Sequence, residues 1–326
     1  MSSAPAMPET PSRFAVTGAA GFLGQALVSH LIALPSTELV VAIDVRARPG
    51  LGLPPARVTW VTQDVRQPMS DVFRNAGVQA IAHLAYVVRP SRAHATARAI
   101  NVGGTESVLA AARACRAGRV VYPSSTTVYG AHADYRRPYV ESDPVRPLPG
   151  FQYSVDKVEA EILLRRFSDE TEVPVAILRC PPVMGESSDN FIVRSLTRRI
   201  LPVPFGASVE FQFLHIADLV VALVTSLNSD AGGTFNVTPE GTVRWRDMVR
   251  SFGNRTIPVP GPLLKAVVGA TWAAGLQSES PPSGVDFIRY PWLADGGRFK
   301  TATGWRARYD SAQALGSARG AIGVPQ

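Results

Sequence analysis

The feature that most constrains the fold of this chain is a glycine-rich segment near its N-terminus, FAVTGAAGFLG at Phe14–Gly24. A short apolar run precedes Gly18, Gly21 and Gly24, and the leucines that follow recur at helical spacing. A strand, three such glycines and a helix form the first unit of a Rossmann-type dinucleotide site. Gly18 permits the tight turn, Gly21 lets a pyrophosphate approach the backbone, and Gly24 lets helix and strand pack closely. The helix N-terminus offers free N–H groups and a positive dipole end to the anion.

The rest of the chain alternates short β-branched runs with helical segments. This alternation predicts an α/β fold, a Rossmann-type doubly wound parallel sheet with a smaller C-terminal substrate-binding lobe. Further strands are predicted at Leu39–Ile43, Val58–Val61, Ala80–Leu84, Arg119–Tyr122 and Val175–Leu178, and helices at Ile100–Ala114 and Tyr153–Phe167.

The expected organisation has a disordered tail, a cofactor domain and a substrate lobe. Residues 1–11 are the tail, 12–180 form the NAD(P)-binding domain, and 211–237 return to it. Residues 181–210 and 238–326 form the lobe, in which Pro262–Leu276 is predicted as a buried or lid helix.

Composition excludes several classes of protein. The net charge of +7 comes from 33 basic and 26 acidic residues spread along the chain, without the basic blocks typical of nucleic-acid binding. No segment predicts a signal peptide or a membrane span, and no His, Cys and Asp cluster has metal-ligand spacing. The two cysteines, Cys115 and Cys180, are far apart, so we expect a reducing, cytoplasmic setting.

An acidic residue follows the second predicted strand. Asp44 lies 20 residues after Gly24, where a carboxylate accepts hydrogen bonds from both ribose hydroxyls of NAD and repels the 2′-phosphate of NADP. The sequence therefore favours NAD, although Arg46 and Arg48 leave NADP as an alternative, and Asp44 is otherwise a cap or loop charge. Asp64, after the third strand, either meets the adenine edge or belongs to an ordinary turn.

Three polar residues are candidates for chemistry beside this cofactor. Tyr153 and Lys157 are four residues apart on a predicted helix, so they share one face. Ser125 follows a predicted strand, and the carboxyl ends of parallel strands line the ligand crevice. The three side chains are therefore expected to converge.

Together these segments resemble the extended short-chain dehydrogenase/reductases, the NAD-dependent epimerase/dehydratase branch. The matching segments occur in the family's order and cover most of the chain. They are TGAAGFLG (Thr17–Gly24), HLAY (His83–Tyr86), NVGGT (Asn101–Thr105), YPSSTTVYG (Tyr122–Gly130), YSVDK (Tyr153–Lys157), LRCPPVMG (Leu178–Gly185) and FLHIADLV (Phe213–Val220).

The resemblance implies a role for each candidate. Tyr153 is the general acid/base, Lys157 favours its phenolate and holds the nicotinamide ribose, and Ser125 polarises the substrate oxygen. Asn101 supports the lysine through water, whereas His83 and His215 take core roles. Further cofactor contacts are expected at Phe22, Leu23, Val65, Leu84, Ala85 and Pro181, and a substrate pocket at Tyr86, Ser125, Thr126, Asn190, Phe191 and Phe211. Dimerisation through the helices that contain Asn101 and Tyr153 is also implied.

The departures from the family concern the substrate. Thr126 and Thr127 replace the Asp-Glu pair of sugar-nucleotide dehydratases, which argues against that elimination chemistry. Phe211, and by alignment Val285, replace arginines that pair with a sugar-nucleotide diphosphate, although Arg289 lies close to the second position and Asn190 matches a diphosphate contact. Pro182 stands where an asparagine is usual. These changes indicate either a more apolar pocket or simply core packing.

Three functions follow as hypotheses. The first is NAD(P)-dependent oxidoreduction of a carbonyl or secondary alcohol, with a lipid-like or secondary-metabolite substrate. The second is a sugar or sugar-nucleotide epimerase with tightly bound NAD. The third is a dinucleotide-sensing protein without turnover, which the intact set of Ser125, Tyr153 and Lys157 disfavours.

Overall fold

The computed structural model describes residues 10–47, 50, 52–90, 92–205 and 209–322. The predicted tail of residues 1–11 lies outside this part except for Thr10 and Pro11, and Pro11 is buried. Arg48 also lies outside the described residues.

The strands occur in the order that the sequence pattern predicts, with additional short ones in the C-terminal half. They are β1 (Arg13–Thr17), β2 (Leu39–Asp44), β3 (Val58–Thr62), β4 (Ala80–His83), β5 (Arg119–Ser125), β6 (Val175–Cys180), β7 (Val183–Met184), β8 (Ile200–Pro204), β9 (Glu210–Phe211), β10 (Leu214–His215), β11 (Gly233–Asn236), β12 (Val243–Arg244) and β13 (Arg255–Val259).

Seven of these strands form one parallel sheet in the order β3-β2-β1-β4-β5-β6-β11. The chain starts at the centre, builds outward to β3, and then crosses to the other side of β1 with β4. The predicted Rossmann-type fold is confirmed. The crossover places the carboxyl ends of β1 and β4 side by side, and a crevice at such a switch point is where these folds bind ligands.

Helices cover both faces of the sheet. The helices are α1 (Phe22–Ala33), α2 (Ser70–Ala76), α3 (His94–Arg98), α4 (Gly104–Cys115), α5 (Gln152–Thr171), α6 (Phe191–Leu196), α7 (Ile216–Leu227), α8 (Trp245–Ser251), α9 (Gly261–Ala273), α10 (Gly297–Thr303), α11 (Ser311–Ser317) and α12 (Arg319–Ile322). One core joins the sheet to α1 and α7, and a second joins its other face to α2, α4 and α5. Because helices cover both faces of the sheet, the central strands have continuous apolar sequences.

Two predicted elements are longer or less regular than expected. β5 runs on to Ser125 because Pro123–Ser125 pair with Leu178–Cys180 of β6. The predicted helix Ile100–Ala114 begins instead with a π-helical turn, Ala99–Gly103, before α4.

The C-terminal half adds three two-stranded sheets, β10-β7, β12-β9 and β13-β8, around a third core. Its helix α9 corresponds to the predicted helix Pro262–Leu276. Leu264 is its one buried residue, and Leu263 and Val267 are more than half exposed. The prediction that this helix is buried was therefore wrong, because its apolar residues do not lie on one packed face. Within the described residues no helix combines the length and the apolar character needed to cross a membrane.

Candidate functional site

The glycine loop is held by close backbone contacts. Gly18 has a φ of +70°, and a Cβ there would stand 2.7 Å from the backbone nitrogen of Ala85. A Cβ on Gly24 would stand 2.2 Å from the carbonyl oxygen of Gly18. Gly21 precedes α1 directly, and a Cβ there would lie 3.1 Å from that same oxygen. The loop thus forms a bare backbone cradle at a helix N-terminus, which suits a phosphate group.

Asp44 reaches this loop from the end of β2. Its Oδ2 accepts a hydrogen bond from the Ala20 N–H at 3.0 Å, and Arg46 donates to the same carboxylate through its backbone and its guanidinium. Burial would raise the pKa of Asp44, but the bonds from Arg46 and Ala20 outweigh it and lower the pKa. The carboxylate is therefore ionised and held beside the glycine loop.

One cavity of about 800 Å³ begins at the glycine loop and continues past the carboxyl ends of the strands. The predicted cofactor contacts that line it are Gly18, Gly21, Phe22, Leu23, Gly24, Asp44, Arg46, Asp64, Val65, Leu84, Ala85, Tyr153, Lys157 and Pro181. Asp64 accepts hydrogen bonds from the backbone and guanidinium of Arg66, as in the turn considered above. Asp64 is nevertheless one of the residues that line the cavity.

Ser125, Tyr153 and Lys157 line the same cavity, so the structure brings the predicted catalytic set together beside the glycine loop. The Lys157 ammonium donates to the Pro123 carbonyl at 2.7 Å and lies 3.7 Å from the centre of the Tyr86 ring. Tyr86 in turn donates its hydroxyl to the Tyr153 carbonyl at 2.9 Å. These contacts tie α5 to the ends of β4 and β5.

Burial governs the acidity of these groups. It raises the pKa of Tyr153 to about 12, against the opposing effect of a hydrogen bond with Ser125. It lowers the pKa of Lys157 to about 7, and the nearby Cys180 and Glu161 oppose the change. A positive charge added beside the phenol would lower the pKa of Tyr153.

Two buried ionisable or polar residues near the site have supporting positions. His83 lies between Thr17 and Thr105, with its ring nitrogens 2.8 Å and 3.0 Å from their hydroxyls, and burial lowers its pKa to about 3. Asn101 in the π-helical turn accepts from the Val87 N–H at 2.7 Å and donates to Asp156 at 2.8 Å. Its side chain thereby anchors the segment after β4 to α5.

A second buried network lies behind Ser125. Glu161 of α5 is fully buried and accepts hydrogen bonds from Ser124 at 2.6 Å, Arg165 at 2.9 Å, and both Nε and Nη2 of Arg179 at 3.0 Å and 2.7 Å. Arg179 also donates to the Tyr129 hydroxyl at 2.9 Å. The neighbours of Ser125 on β5 and β6 are thus fixed by a paired buried charge.

Only some of the residues predicted to form a substrate pocket line the cavity. Tyr86, Ser125, Asn190 and Phe211 line the cavity, whereas the side chain of Phe191 lies outside the description. Thr126 does not line it: its hydroxyl faces the Cys180 carbonyl at 3.5 Å, and Thr127 takes the lining position instead. The cause is the 3-10 turn after β5, in which the Thr127 N–H donates to Ser125 Oγ.

Four aromatic residues of the third core also border the cavity. Phe211, Trp245, Phe287 and Trp292 line it. The sequence reasoning found only Phe211, because the other three come from segments whose convergence depends on the fold. Neither Val285 nor Arg289 is among the described residues that line the cavity.

The sequence reasoning also missed a charged cluster of Arg89, Asp189, Arg194 and Glu279, all of which line the cavity. Asp189 bridges the two arginines, and Arg194 donates to Glu279 at 2.8 Å. Asn190, between Asp189 and α6, caps that helix by accepting from the Val193 N–H at 3.0 Å. The cluster joins three segments that are distant in sequence, which no local pattern could have indicated.

Comparison with known families decides the relationship. The profile described as the NAD dependent epimerase/dehydratase family matches residues 14–238. The chain belongs to this family. The predicted family is thereby confirmed, and the match includes the glycine loop, the Ser125 segment and the Tyr153–Lys157 helix.

Relatives of this NAD-dependent epimerase/dehydratase family member extend over nearly its whole length. Uncharacterized protein Rv0501 of Mycobacterium tuberculosis is 27% identical over 315 residues, covering 94% of this chain and 83% of that protein. Uncharacterized protein y4nG of Sinorhizobium fredii is 25% identical over 319 residues, covering 92% and 76%.

Solved structures share the fold. MoeE5 in complex with UDP-glucuronic acid and NAD is 25% identical, with a TM-score of 0.73 over 94% of this chain and 97% of that one. A UDP-glucose 4-epimerase from Thermotoga maritima, solved with UDP-glucose, is 18% identical with a TM-score of 0.75, covering 95% and 98%. The second likeness shows the fold alone.

Proposed function

We propose that this chain is an NAD-dependent oxidoreductase that interconverts a secondary alcohol and its carbonyl compound, with Tyr153 as general acid/base. The observation that carries the proposal is that Ser125, Tyr153 and Lys157 line one cavity with the glycine loop and Asp44. In this assignment residues 12–180 with 211–237 hold the cofactor, and 181–210 with 238–326 hold the substrate. The homodimer stays a prediction.

The residues present fit NAD. A bare glycine cradle at the start of α1 suits the pyrophosphate, and the ionised Asp44 suits the two free hydroxyls of an adenosine ribose. The NAD found with MoeE5 supports this choice. Arg46 is paired with Asp44 rather than free to receive a 2′-phosphate, which supports NAD over NADP. When bound, the nicotinamide accepts or donates the hydride.

Tyr153 moves the proton that accompanies this chemistry. Since burial raises its pKa to about 12, the phenol is protonated at neutral pH and is ready to give its proton to a carbonyl oxygen during reduction. Oxidation needs the phenolate, which nearby positive charge stabilises. Ser125 holds the substrate oxygen in place, and Lys157, with its pKa lowered to about 7, supplies its charge most fully at slightly acidic pH.

A second candidate is a sugar or sugar-nucleotide epimerase. It is favoured by the polar groups of Arg194 and Asn190 in the cavity, and by the UDP-sugar bound to MoeE5. Both candidates use Tyr153, so they differ in their net redox change rather than in their acid/base residue.

The test is a screen of secondary alcohols, ketones and UDP-sugars with NAD or NADH, following absorbance of the reduced nicotinamide. Net cofactor reduction or oxidation with a substrate supports the oxidoreductase, whereas product formation without net change supports the epimerase. Tyr153→Phe should abolish turnover and leave NADH affinity unchanged within about twofold, since the phenol contributes its proton rather than binding. Turnover retained in Tyr153→Phe would exclude Tyr153 as the acid/base.

A further inference from the structure

We propose that α9, β8 and β13 together form a docking surface that binds the surface of an anionic lipid bilayer. The inference goes beyond the proposed function and does not depend on it. It is carried by the exposed apolar side chains of these three elements, and by neighbouring arginines that have no anionic partner among the described residues.

Large apolar side chains are exposed together on these elements. Among the described residues ten large apolar side chains are exposed, and six of them lie on β8, β13 and α9 or directly after them. Single exposed apolar residues are common on soluble proteins, but a contiguous apolar surface marks a site of interaction. The six, each at least 51% exposed, are Ile200, Phe205, Ile257, Leu263, Val267 and Leu276.

The register of the β8–β13 pair places two of these side chains on its outer face. Pro202 pairs with Ile257, and Ile200 lies two residues earlier on β8, so all three side chains point to the same side of this parallel pair. The alternate residues of β8, Leu201 and Val203, are buried in the third core. The face that carries Ile200 and Ile257 is therefore turned to solvent.

The helix α9 continues this apolar surface. Only Pro260 separates it from β13, and it packs against β8. Its one charged residue, Lys265, pairs with Asp286. A helix with an apolar outer face suits the boundary between lipid headgroups and acyl chains. The exposed residues of α9 that recur with the spacing of one helix face are all apolar: Leu263, Ala266, Val267, Ala270 and Ala273.

The charge around the docking surface favours an anionic partner. The two segments that contain it, residues 195–205 and 252–278, hold no Asp or Glu. Arg198, Arg199 and Arg255 are exposed, and none of them makes an ion pair or a side-chain hydrogen bond within the described part of the chain. The Arg255 N–H donates to the Arg199 carbonyl at 3.0 Å, so these two arginines are neighbours.

The helix α8 also packs against β13, and its charges do not reverse this balance. It carries Arg246, Asp247 and Arg250, all of them exposed, so it adds one net positive charge. The positive charge beside the docking surface is therefore left for an external anion.

An anionic bilayer fits both parts of this surface. Its headgroups pair with the arginines, and the adjoining apolar layer covers the exposed aliphatic side chains. A second copy of this chain fits less well. In a symmetric dimer through this face the same arginines would enter one interface with their own copies, and no carboxylate of these segments would separate the like charges.

The docking surface adjoins a wall of the cavity. The helix α9 packs against the 3-10 helix Pro282–Ile288, of which Gly284 and Ile288 line the cavity. A bilayer bound to the docking surface would therefore lie close to the cavity.

The experiment measures co-sedimentation of the full chain with lipid vesicles at about 0.1 M salt. One kind of vesicle contains phosphatidylcholine alone, and the other also contains about 30% phosphatidylserine. We expect the lipid concentration that binds half of the protein to be at least about tenfold lower for the anionic vesicles. Raising the salt to about 0.5 M should weaken that binding, because exposed charges are screened.

Matched variants test the apolar part of the surface. Val267→Ser on α9 and Ile257→Ser on β13 should each weaken binding to the anionic vesicles about fivefold, because each removes apolar area that the bilayer covers. The control is Val221→Ser on α7, which packs against α1 and the central sheet. Val221 is 43% exposed, so its replacement should change vesicle binding less than about twofold.

A second matched pair tests the charge. Arg255→Gln should weaken binding to the anionic vesicles about fivefold, since it removes one cation beside the lipid headgroups. Arg136→Gln removes an exposed arginine between β5 and α5 that has no ion pair in the described residues, and it should change binding less than about twofold. Every variant should unfold in urea at the midpoint of the native chain, which shows that a loss of binding is not a loss of folding.

Three results with vesicles would each overturn the inference: no binding to anionic vesicles at about 1 mM lipid, equal binding to both kinds of vesicle, or a loss in Val267→Ser no larger than in Val221→Ser. A native dimer that Val267→Ser dissociates in light scattering without vesicles would assign the surface to a second copy and overturn it as well. Vesicle binding requires no substrate, so its failure would leave the proposed function unaffected.

Discussion

Replacing Glu161 by glutamine tests whether the buried charge behind Ser125 stabilises the fold. The substitution keeps the shape of the side chain but leaves the guanidinium of Arg179, whose side chain is 4% exposed, without a carboxylate. Breaking a buried ion pair by removing one partner costs ~3–5 kcal/mol. The introduced amide retains one acceptor oxygen for Ser124 or Arg179, so we expect a loss of about 3 kcal/mol, at the lower end.

The assay is urea unfolding of the native chain, Glu161→Gln, Arg179→Gln and the double variant. The double variant should lose less than the sum of the two single losses, since it leaves no unpaired charge in the buried interior. The matched control is Glu170→Gln on the same helix, where the carboxylate pairs with Arg113 and Arg166 at the surface. That change should alter the free energy of unfolding only slightly, because exposed ion pairs contribute little to stability.

The pH dependence has a definite sign. Burial alone would raise the pKa of Glu161, but Arg179 outweighs it and the pKa is lowered below the ordinary value of 4.5. The stabilisation is therefore fully present above pH 4.5 and is lost as the pH falls through the lowered pKa. Equal losses for Glu161→Gln and Glu170→Gln, or additive losses in the double variant, would refute the reasoning.

Three further changes probe the loop, the core histidine and the ribose carboxylate. Gly24→Ala places a Cβ 2.2 Å from the Gly18 carbonyl and should abolish NADH binding in calorimetry, whereas Gly316→Ala, in open space on α11, should stabilise by about 0.5–1 kcal/mol. Because burial lowers the pKa of His83 to about 3, this histidine becomes protonated at a higher pH in the unfolded chain than in the folded chain. Stability should fall by about 2 kcal/mol between pH 7 and pH 5, and His83→Gln should flatten that part of the urea-midpoint profile. Asp44→Asn should weaken NADH binding about tenfold and reduce the difference in affinity between NADH and NADPH. An unchanged NADH affinity would show that Asp44 does not bind the ribose.

The parts of the site that the sequence predicted are those fixed by local spacing. The glycine loop and α1 depend on neighbouring residues, and the Tyr153–Lys157 pair depends on one helical turn. Ser125 could be placed because it ends a strand of a parallel sheet, and such ends meet at one edge.

The rest depends on contacts between distant segments or on local geometry that residue types do not reveal. Thr126 does not line the cavity, because a 3-10 turn follows β5 and directs Thr127 toward Ser125. The cluster of Arg89, Arg194 and Glu279 forms only when three remote segments fold together. The π-helical turn at Asn101 could not be distinguished from an ordinary helix by hydrophobic periodicity.

The position of Lys157 also makes this chain suited to chemical labelling. The sequence contains only three lysines, Lys157, Lys265 and Lys300, so arginine supplies nearly all of its positive charge. Lys265 and Lys300 pair with Asp286 and Glu240. Lys157 faces the cavity with its pKa lowered to about 7, so much of it is an uncharged nucleophile at neutral pH. A small amine-directed reagent that enters the cavity would therefore modify Lys157 faster than the ion-paired Lys265 and Lys300, and the rate of modification at Lys157 would report whether a ligand occupies the cavity before any substrate is known.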